Sequence, residues 1–169
     1  ELVYKISDVL KVRGLVGKSI KNPTFTERFG FYTNFIGNPL LKPEESVGFE
    51  IGMDYVLENE KIDMSLTLFN ADLENEINGF VYDPVTYAYT SGNMNGSSNR
   101  KGLEISLVGD LTETLSFSSS YTHVKADQKN DGTRVREIRR PNHMANFGIN
   151  WAPSSFVKVM MLSLIHISE

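Results

Sequence analysis

The chain has 169 residues, with 17 Lys and Arg against 21 Asp and Glu, a formal net charge of −4 and no cysteine. The lack of cysteine excludes disulfides, cysteine-ligated metal sites and a thiol nucleophile, and the slight acidity disfavours nucleic acid as a partner. The most apolar stretch, Phe156–Ile167, is shorter than the about 20 residues of a membrane-spanning helix. The mean hydropathy of −0.24 still permits a membrane β-barrel, because barrel strands expose only alternate residues to lipid.

Alternation of apolar and polar residues with a period of two predicts β-strands along most of the chain. The predicted strands are Val12–Ile20, Ser46–Leu57, Ile62–Leu68, Gly102–Leu107, Leu115–Thr122 and Met144–Trp151. Nearly all of them are joined to their neighbours in sequence. We therefore predict an all-β fold, an antiparallel meander of about six to eight strands.

The predicted connections alternate between short and long. Short turns are expected at Glu58–Lys61, Gly109–Thr114 and around Ala152–Ser155, and long loops at Pro23–Glu45, Phe80–Tyr87 and Ala126–Ile138. All short turns then lie at one end of the sheet and all long loops at the other, as in outer-membrane barrels. A soluble β-sandwich would show the same alternation along its strands, so both architectures stay open, with the barrel favoured.

The two faces of the predicted strands differ in chemistry. One face of Ser46–Leu57 carries Val47, Phe49 and Ile51, and the opposite face carries small or charged residues. The small or charged residues suit a hydrated barrel lumen, and the apolar residues suit contact with lipid. Tyr55 and Trp151 fall next to short turns, where an interfacial aromatic girdle would lie.

The stretch from residue 22 to residue 49 has the most distinctive sequence, NPTFTERFGFYTNFIGNPLLKPEESVGF. Pro23, Pro39 and Pro43 each remove a backbone donor, which predicts a loop rather than a central strand. The prolines also hold the residues before them in extended conformations. A stiffened loop that displays aromatic side chains follows from this composition.

This stretch resembles the C-terminal barrel half of TonB-dependent outer-membrane receptors. The matching positions are Pro23, Thr24, Phe25, Gly37, Asn38, Pro39, Leu41, Pro43, Glu44, Glu50 and Gly52. Further segments resemble the same family, namely Phe69–Ile77, Lys101–Glu104 and Arg140–His143. The resemblance covers about Val12–Pro153, without the plug domain and the energy-coupling box of that family.

The resemblance implies a segment of a large transmembrane β-barrel of about 22 strands around a plugged lumen. Residues 1–155 would form the partial barrel, and residues 156–169 an atypical tail, of which Leu162–Glu169 resembles a translated sequencing adaptor. Because the chain opens at Glu1 without an initiator Met, we expect either a processed product or a piece of a longer protein.

The resemblance also implies a function in the bacterial outer membrane, surrounded by lipid. Receptors of this kind capture a scarce nutrient complex, most often a ferric siderophore, sometimes cobalamin or haem. A TonB-type energy-coupling protein drives import through the plug, and no enzymatic reaction or cofactor is expected. Two alternatives are kept: a passive porin-like or small structural outer-membrane barrel, and a soluble β-sandwich binding module.

Candidate ligand residues lie on the predicted long loops: Phe31, Tyr32, Asn34, Phe35, Arg134 and Arg136. The aromatic residues could contact substrate at the barrel mouth or pack on neighbouring loops. The arginines, together with Arg139 and Arg140, could grip an anionic ligand or lipopolysaccharide phosphates, although a solvated loop with lumen-lining arginines is favoured.

Catalytic and metal-binding patterns are missing from the sequence. His123, His143 and His166 are scattered without a second ligand at metal-site spacing, so each is expected to be structural. No nucleophile elbow and no phosphate-binding glycine loop occurs. We therefore expect neither an enzyme nor a resident metal.

Overall fold

The computed structural model describes residues 1–57, 61–130, 133–137 and 141–167. The elements of this part of the chain are β1 (Leu2–Lys5), β2 (Leu10–Lys21), α1 (Phe25–Phe29), β3 (Glu44–Leu57), β4 (Ile62–Glu74), β5 (Ile77–Asp83), β6 (Ala88–Asn93), β7 (Ser97–Thr112), β8 (Leu115–Asn130), β9 (Thr133–Arg136), β10 (His143–Ser154) and β11 (Val157–Ile167). The predicted turn residues Glu58–Glu60, and Arg139 and Arg140, lie outside the described residues.

Nearly all strands belong to one antiparallel sheet. Its order is β1-β2-β3-β4-β7-β8-β10-β11, with β9 added beside β8. The β5–β6 hairpin forms a separate two-stranded sheet between β4 and β7 in sequence. The predicted antiparallel all-β meander is thereby confirmed, since each strand pairs with its neighbour once the hairpin and β9 are set aside.

Several strands extend beyond their predicted ends. The predicted loop Ala126–Ile138 was wrong in part, because β8 continues to Asn130 and β9 pairs with it, with Asp127 opposite Arg136. The predicted loop Phe80–Tyr87 is likewise mostly the β5–β6 hairpin, closed by a turn that ends at Tyr87 with φ of 55°. At the end of β8 polar residues dominate both faces, so the period of two disappears from the sequence while the backbone pairing persists.

The register places the apolar side chains of successive strands on one face of the sheet. Ile51 lies opposite Leu68, which lies opposite Leu103, and the side chains of Val47 and Phe49 on the same face are about half exposed. At the usual strand tilt, Val47–Leu57 would rise about 25 Å, the height of the apolar band of a membrane barrel. We call this surface the outer face and the opposite, polar surface the inner face.

Fully buried side chains lie mainly at the long-loop end of the sheet. Phe35, Leu41 and Ala126 are each 3% exposed, and Ala88 is 4% exposed. The sheet itself is a single layer with both faces open, so the packed core is formed by the loops. Across the described residues, no helix has the length and apolar character required to cross a membrane.

Candidate functional site

The motif loop between β2 and β3 packs against the β5–β6 hairpin. The amide of Ile36 donates to the carbonyl of Tyr89 (2.8 Å), and the amide of Tyr89 donates to the carbonyl of Asn34 (2.9 Å). The side chain of Asn38 donates to the carbonyl of Ser91 at 3.0 Å. These bonds fix the loop as an extra layer on the hairpin.

Asn93, at the end of β6, completes this attachment. Its side-chain oxygen accepts from the amide of Lys42 (2.8 Å), and its side-chain nitrogen donates to the carbonyls of Lys42 (2.9 Å) and Asn75 (2.7 Å). Leu41, between Asn38 and Lys42, is buried beneath the loop. The Asn-Pro-Leu-Leu-Lys-Pro motif therefore acts as a clamp that joins the loop to the hairpin.

Gly37 allows the clamp to close against α1. A Cβ atom at this position would lie 2.2 Å from the backbone nitrogen of Phe29 and 2.3 Å from the carbonyl carbon of Arg28. The next residue, Asn38, donates its amide to the carbonyl of Glu27 at 2.8 Å. Only a residue without a side chain fits in this close backbone approach.

The short helix α1 is the element that the sequence prediction missed within this loop. Thr24 is its N-cap: the amide of Glu27 donates to Oγ1 of Thr24 (3.3 Å), and the amide of Thr24 donates to Oε2 of Glu27 (2.7 Å). Thr24-Phe25-Thr26-Glu27 is a capping-box sequence, which was the available signal. Burial alone would raise the pKa of Glu27, but the hydrogen bonds from Thr24 outweigh it and the pKa is lowered.

The capping box gives a pH-dependent prediction. Because the folded pKa of Glu27 lies below its ordinary value of 4.5, its contribution is complete above pH 4.5 and is lost as the pH falls through the lowered pKa. We expect Glu27→Gln to weaken α1 by about 1 kcal/mol at neutral pH and to flatten that acid dependence. Amide exchange of residues 25–30 between pH 3 and pH 7 measures both effects, and an unchanged profile in the variant would contradict them.

Glu44, another motif residue, connects three elements. Its carboxylate lies 2.7 Å from Nζ of Lys21 at the end of β2 and accepts from the amide of Ile77 at 3.1 Å. The hydrogen bond to Glu44 raises the pKa of Lys21. The start of β3 is thus joined to β2 on one side and to the hairpin on the other.

The clamp supports a group of exposed rings that we call the aromatic ridge. Its members are Phe31, Tyr32, Phe80, Tyr82 and Tyr89. Ring centroids lie 4.3 Å apart for Phe31 and Tyr32, 6.2 Å for Phe80 and Tyr89, and 5.6 Å for Tyr82 and Tyr89. The ridge residues are between 45% and 62% exposed. An exposed row of interlocked rings offers a rigid apolar surface at low cost in side-chain entropy.

Phe35 does not have the position expected of a ligand-contacting residue. It is buried beneath the ridge, with its ring 5.0 Å from Phe31 and 5.4 Å from Phe80. It is therefore a packing residue, and its assignment to the ligand surface is corrected. The other predicted residues of this loop, Phe31, Tyr32 and Asn34, are exposed.

Arg134 and Arg136 are exposed on β9, away from the clamp. Arg136 lies opposite Asp127, and the register from Asp127 through β7 and β4 leads to Val47 on the outer face. Both arginines therefore belong to the outer face, and the lumen-lining position favoured for them was wrong. Arg134 lies on the same face as Arg136, because residues two apart along a strand share a face.

The motif residues Glu50 and Gly52 lie on the inner face, as alternation predicts. A Cβ atom on Gly52 would lie 2.6 Å from the guanidinium carbon of Arg13. That guanidinium lies 3.5 Å from Asp54 and donates to Thr67 at 2.5 Å. Gly52 thus leaves room for a charged group that crosses three strands of the inner face.

Two of the histidines are closer together than the sequence suggested. His143 and His123 are direct partners on β10 and β8, with ring centroids 4.5 Å apart. The description of the histidines as scattered was therefore wrong for this pair. Nδ1 of His123 donates to the carbonyl of Asn142 at 3.1 Å. Within the described residues, no three His, Asp or Glu side chains form a cluster that could hold a metal ion.

Comparison with known proteins identifies the family of this chain. The family model described as "TonB dependent receptor-like, beta-barrel" matches residues 1–162. The vitamin B12 transporter BtuB of Photobacterium profundum is 30% identical over 152 residues, which cover 88% of this chain and 23% of that protein. The iron-regulated outer membrane virulence protein of Vibrio cholerae serotype O1 is 26% identical over 166 residues, 88% of this chain and 25% of that protein.

A solved receptor structure shares this fold over nearly the whole chain. The siderophore receptor PirA from Pseudomonas aeruginosa superposes with a TM-score of 0.74 at 22% identity, over 97% of this chain and 29% of that one. The chain spans about a quarter of the length of the curated relatives it matches. The resemblance carried by the loop motif is thereby confirmed: the chain belongs to the TonB-dependent receptor β-barrel family, whose members are transport receptors and not enzymes.

Proposed function

We propose that this chain is part of an outer-membrane receptor that actively imports a scarce nutrient complex. A ferric siderophore is the favoured ligand class, with cobalamin or haem as the other members. Relatives of this chain are named for vitamin B12 and for siderophores, which supports this set of ligands. The energy would come from a TonB-type protein acting on a plug domain.

The aromatic ridge is the observation that carries this proposal. It lies at the long-loop end of the sheet, which faces outward from the cell in barrels of this architecture. Phe31 and Tyr32 are held from below by the buried Phe35 and from the side by the clamp. A preorganised aromatic surface suits the planar, partly apolar ligands of this class, because little order has to be gained on binding.

The remaining assignments follow from the same proposal. Residues 1–155 would be a part of the barrel wall with membrane lipid against the outer face. Residues 156–169 would be an atypical tail: β11 pairs with β10 along most of its length, and the family match ends at residue 162.

An uptake experiment on the complete protein that carries this chain tests the proposal. A strain lacking the gene is expected to lose accumulation of ferric enterobactin or of cyanocobalamin, and a protonophore is expected to stop accumulation in the wild type. We expect Phe31→Ala with Tyr32→Ala to reduce the apparent affinity about tenfold. Phe25→Ala is the matched control, because Phe25 is an exposed ring on α1 outside the ridge.

Two results would contradict the proposal. Passive ion conduction through the purified protein, with no energy-dependent uptake of either ligand, would identify a porin-like barrel. A cooperative monomeric fold in buffer without detergent would identify a soluble module.

A further inference from the structure

A groove on the outer face lies where the apolar side chains of β4 and β7 end, at Leu68 and Leu103. Its volume is about 480 Å³, and its lining is Phe49, Leu68, Phe69, Asn70, Lys101, Gly102, Leu103, His123 and Lys125. The floor is apolar, from Phe49, Leu68 and Leu103. Asn70, Lys101 and Lys125 lie in the same register row as Phe49. This row is nearer to the long loops than the row of Leu68 and Leu103. The groove therefore joins an apolar surface to a cationic rim.

The two lysines of this rim face each other across β7 and β8. Lys101 and Lys125 are direct register partners, and both are exposed. Like charges placed directly opposite on one face destabilise a strand pair. An anion bound between the two ammonium groups would relieve this repulsion.

The described residues supply little compensation. The side chain of Lys101 makes no hydrogen bond or ion pair within them, and the side chain of Lys125 makes a single ion pair, 3.9 Å from Asp127. No carboxylate lines the groove. The nearest acids on this face, Asp72 and Asp127, lie two residues from Asn70 and Lys125 toward the long loops, and Asp72 accepts from Asn99 at 2.8 Å.

Other groups on the same face add to the positive character of the rim. Oδ1 of Asn70 accepts from Asn99 at 2.9 Å, which leaves the Asn70 amide nitrogen as a donor. Arg134 and Arg136 lie beyond Lys125 on this face. The groove thus presents two ammonium groups and an amide donor directly beside an apolar floor.

We propose that this groove binds a membrane lipid with an anionic phosphate headgroup. The phosphate would lie between Lys101 and Lys125, and an acyl chain would cover Phe49, Leu68 and Leu103. This inference rests on the proposed placement of the outer face in lipid. On β4 and β7 the groove lies where apolar side chains give way to Asn70 and Lys101, and headgroup phosphates lie at the corresponding boundary of a bilayer.

Native mass spectrometry of the complete protein in detergent, titrated with phosphatidylglycerol, tests this inference. Lys101→Gln with Lys125→Gln is expected to weaken phosphatidylglycerol binding about 30-fold, since each lysine near a membrane surface contributes about 1 kcal/mol, or about fivefold. Lys11→Gln with Lys18→Gln removes the same charge outside the groove and is expected to leave binding unchanged. Phosphatidylcholine with the same acyl chains should bind weakly to all three proteins, and inorganic phosphate should not displace the anionic lipid.

The outcomes separate this inference from the proposed function. If the complete protein inserts into membranes and imports its ligand, but the Lys101/Lys125 variant binds phosphatidylglycerol as tightly as the wild type, the lipid site is refuted and the receptor stands. Displacement by inorganic phosphate would show a free-anion site instead. A protein that stays monomeric in plain buffer would overturn both.

Discussion

Replacing Arg100 with alanine is expected to lower the free energy of unfolding by about 2–4 kcal/mol, because the change removes the guanidinium that binds two poorly exposed carboxylates at once. Arg100 lies on the inner face of β7, with Nη2 2.7 Å from Glu76 and Nε 3.0 Å from Glu137. The three side chains are only 9% to 22% exposed, so water replaces the lost contacts poorly. Glu76 also accepts from Ser98 at 2.5 Å.

The effect should be local to the junction of the hairpin, β7 and β9. Hydrogen exchange of the complete protein is expected to speed up in residues 75–100 and 124–137 and to remain unchanged in β2 and β3. Arg100→Lys keeps the charge but not the two-nitrogen geometry, and should recover less than half of the loss.

Lys18→Ala is the control, since Lys18 and Glu45 form an exposed pair of the kind that contributes at most about 1 kcal/mol. Equal effects from Arg100→Ala and Lys18→Ala would contradict the argument.

Gly37→Ala is expected to separate α1 from the clamp at a cost of about 2–3 kcal/mol. The added Cβ would lie within 2.3 Å of backbone atoms of Arg28, Phe29 and Gly30, and backbone cannot move aside as a flexible side chain can. The shift would also disturb the bond from the Asn38 amide to Glu27. Ligand uptake should fall with it, because Phe31 and Tyr32 lie between α1 and Gly37.

Gly79→Ala is the matched control for that experiment. Gly79 lies in the same loop cluster, on β5, and a Cβ atom there would have no heavy atom within 4 Å. We expect its variant to retain wild-type uptake and wild-type protection of residues 25–43. If both glycine variants behave alike, the close approach at Gly37 is not what holds the loop.

The family motif can be recognised in the sequence, but the role of its residues in the clamp can be seen only in the structure. Asn38, Leu41 and Glu44 each make a contact that depends on residue type: an amide to a strand carbonyl, a buried side chain, and a carboxylate to Lys21. Ser91 lies 53 residues from Asn38, and Lys21 lies 23 residues from Glu44. No local pattern identifies them, so the sequence predicted a loop with displayed aromatics and could not separate Phe35 from Phe31.

The ends of the strands illustrate a second limit. Within the apolar band, Val47, Phe49 and Ile51 alternate with small or charged residues because one side of the sheet contacts an apolar phase. Beyond the band both sides are polar, so the alternation that predicts a strand is lost at Ala126, although β8 continues through it. The position of Arg134 and Arg136 on the outer face follows only from the register of β9 on β8.

The sequence alone determined the all-β meander, the two chemically different faces and the family, because periodicity and a long ordered motif are local properties of the chain. The tertiary structure decided which aromatic rings are exposed, which histidines meet, and that Lys101 and Lys125 face each other across two strands. Those facts depend on strand register. Register is set by pairing between distant segments, and a shift of one residue would move every side chain to the other face.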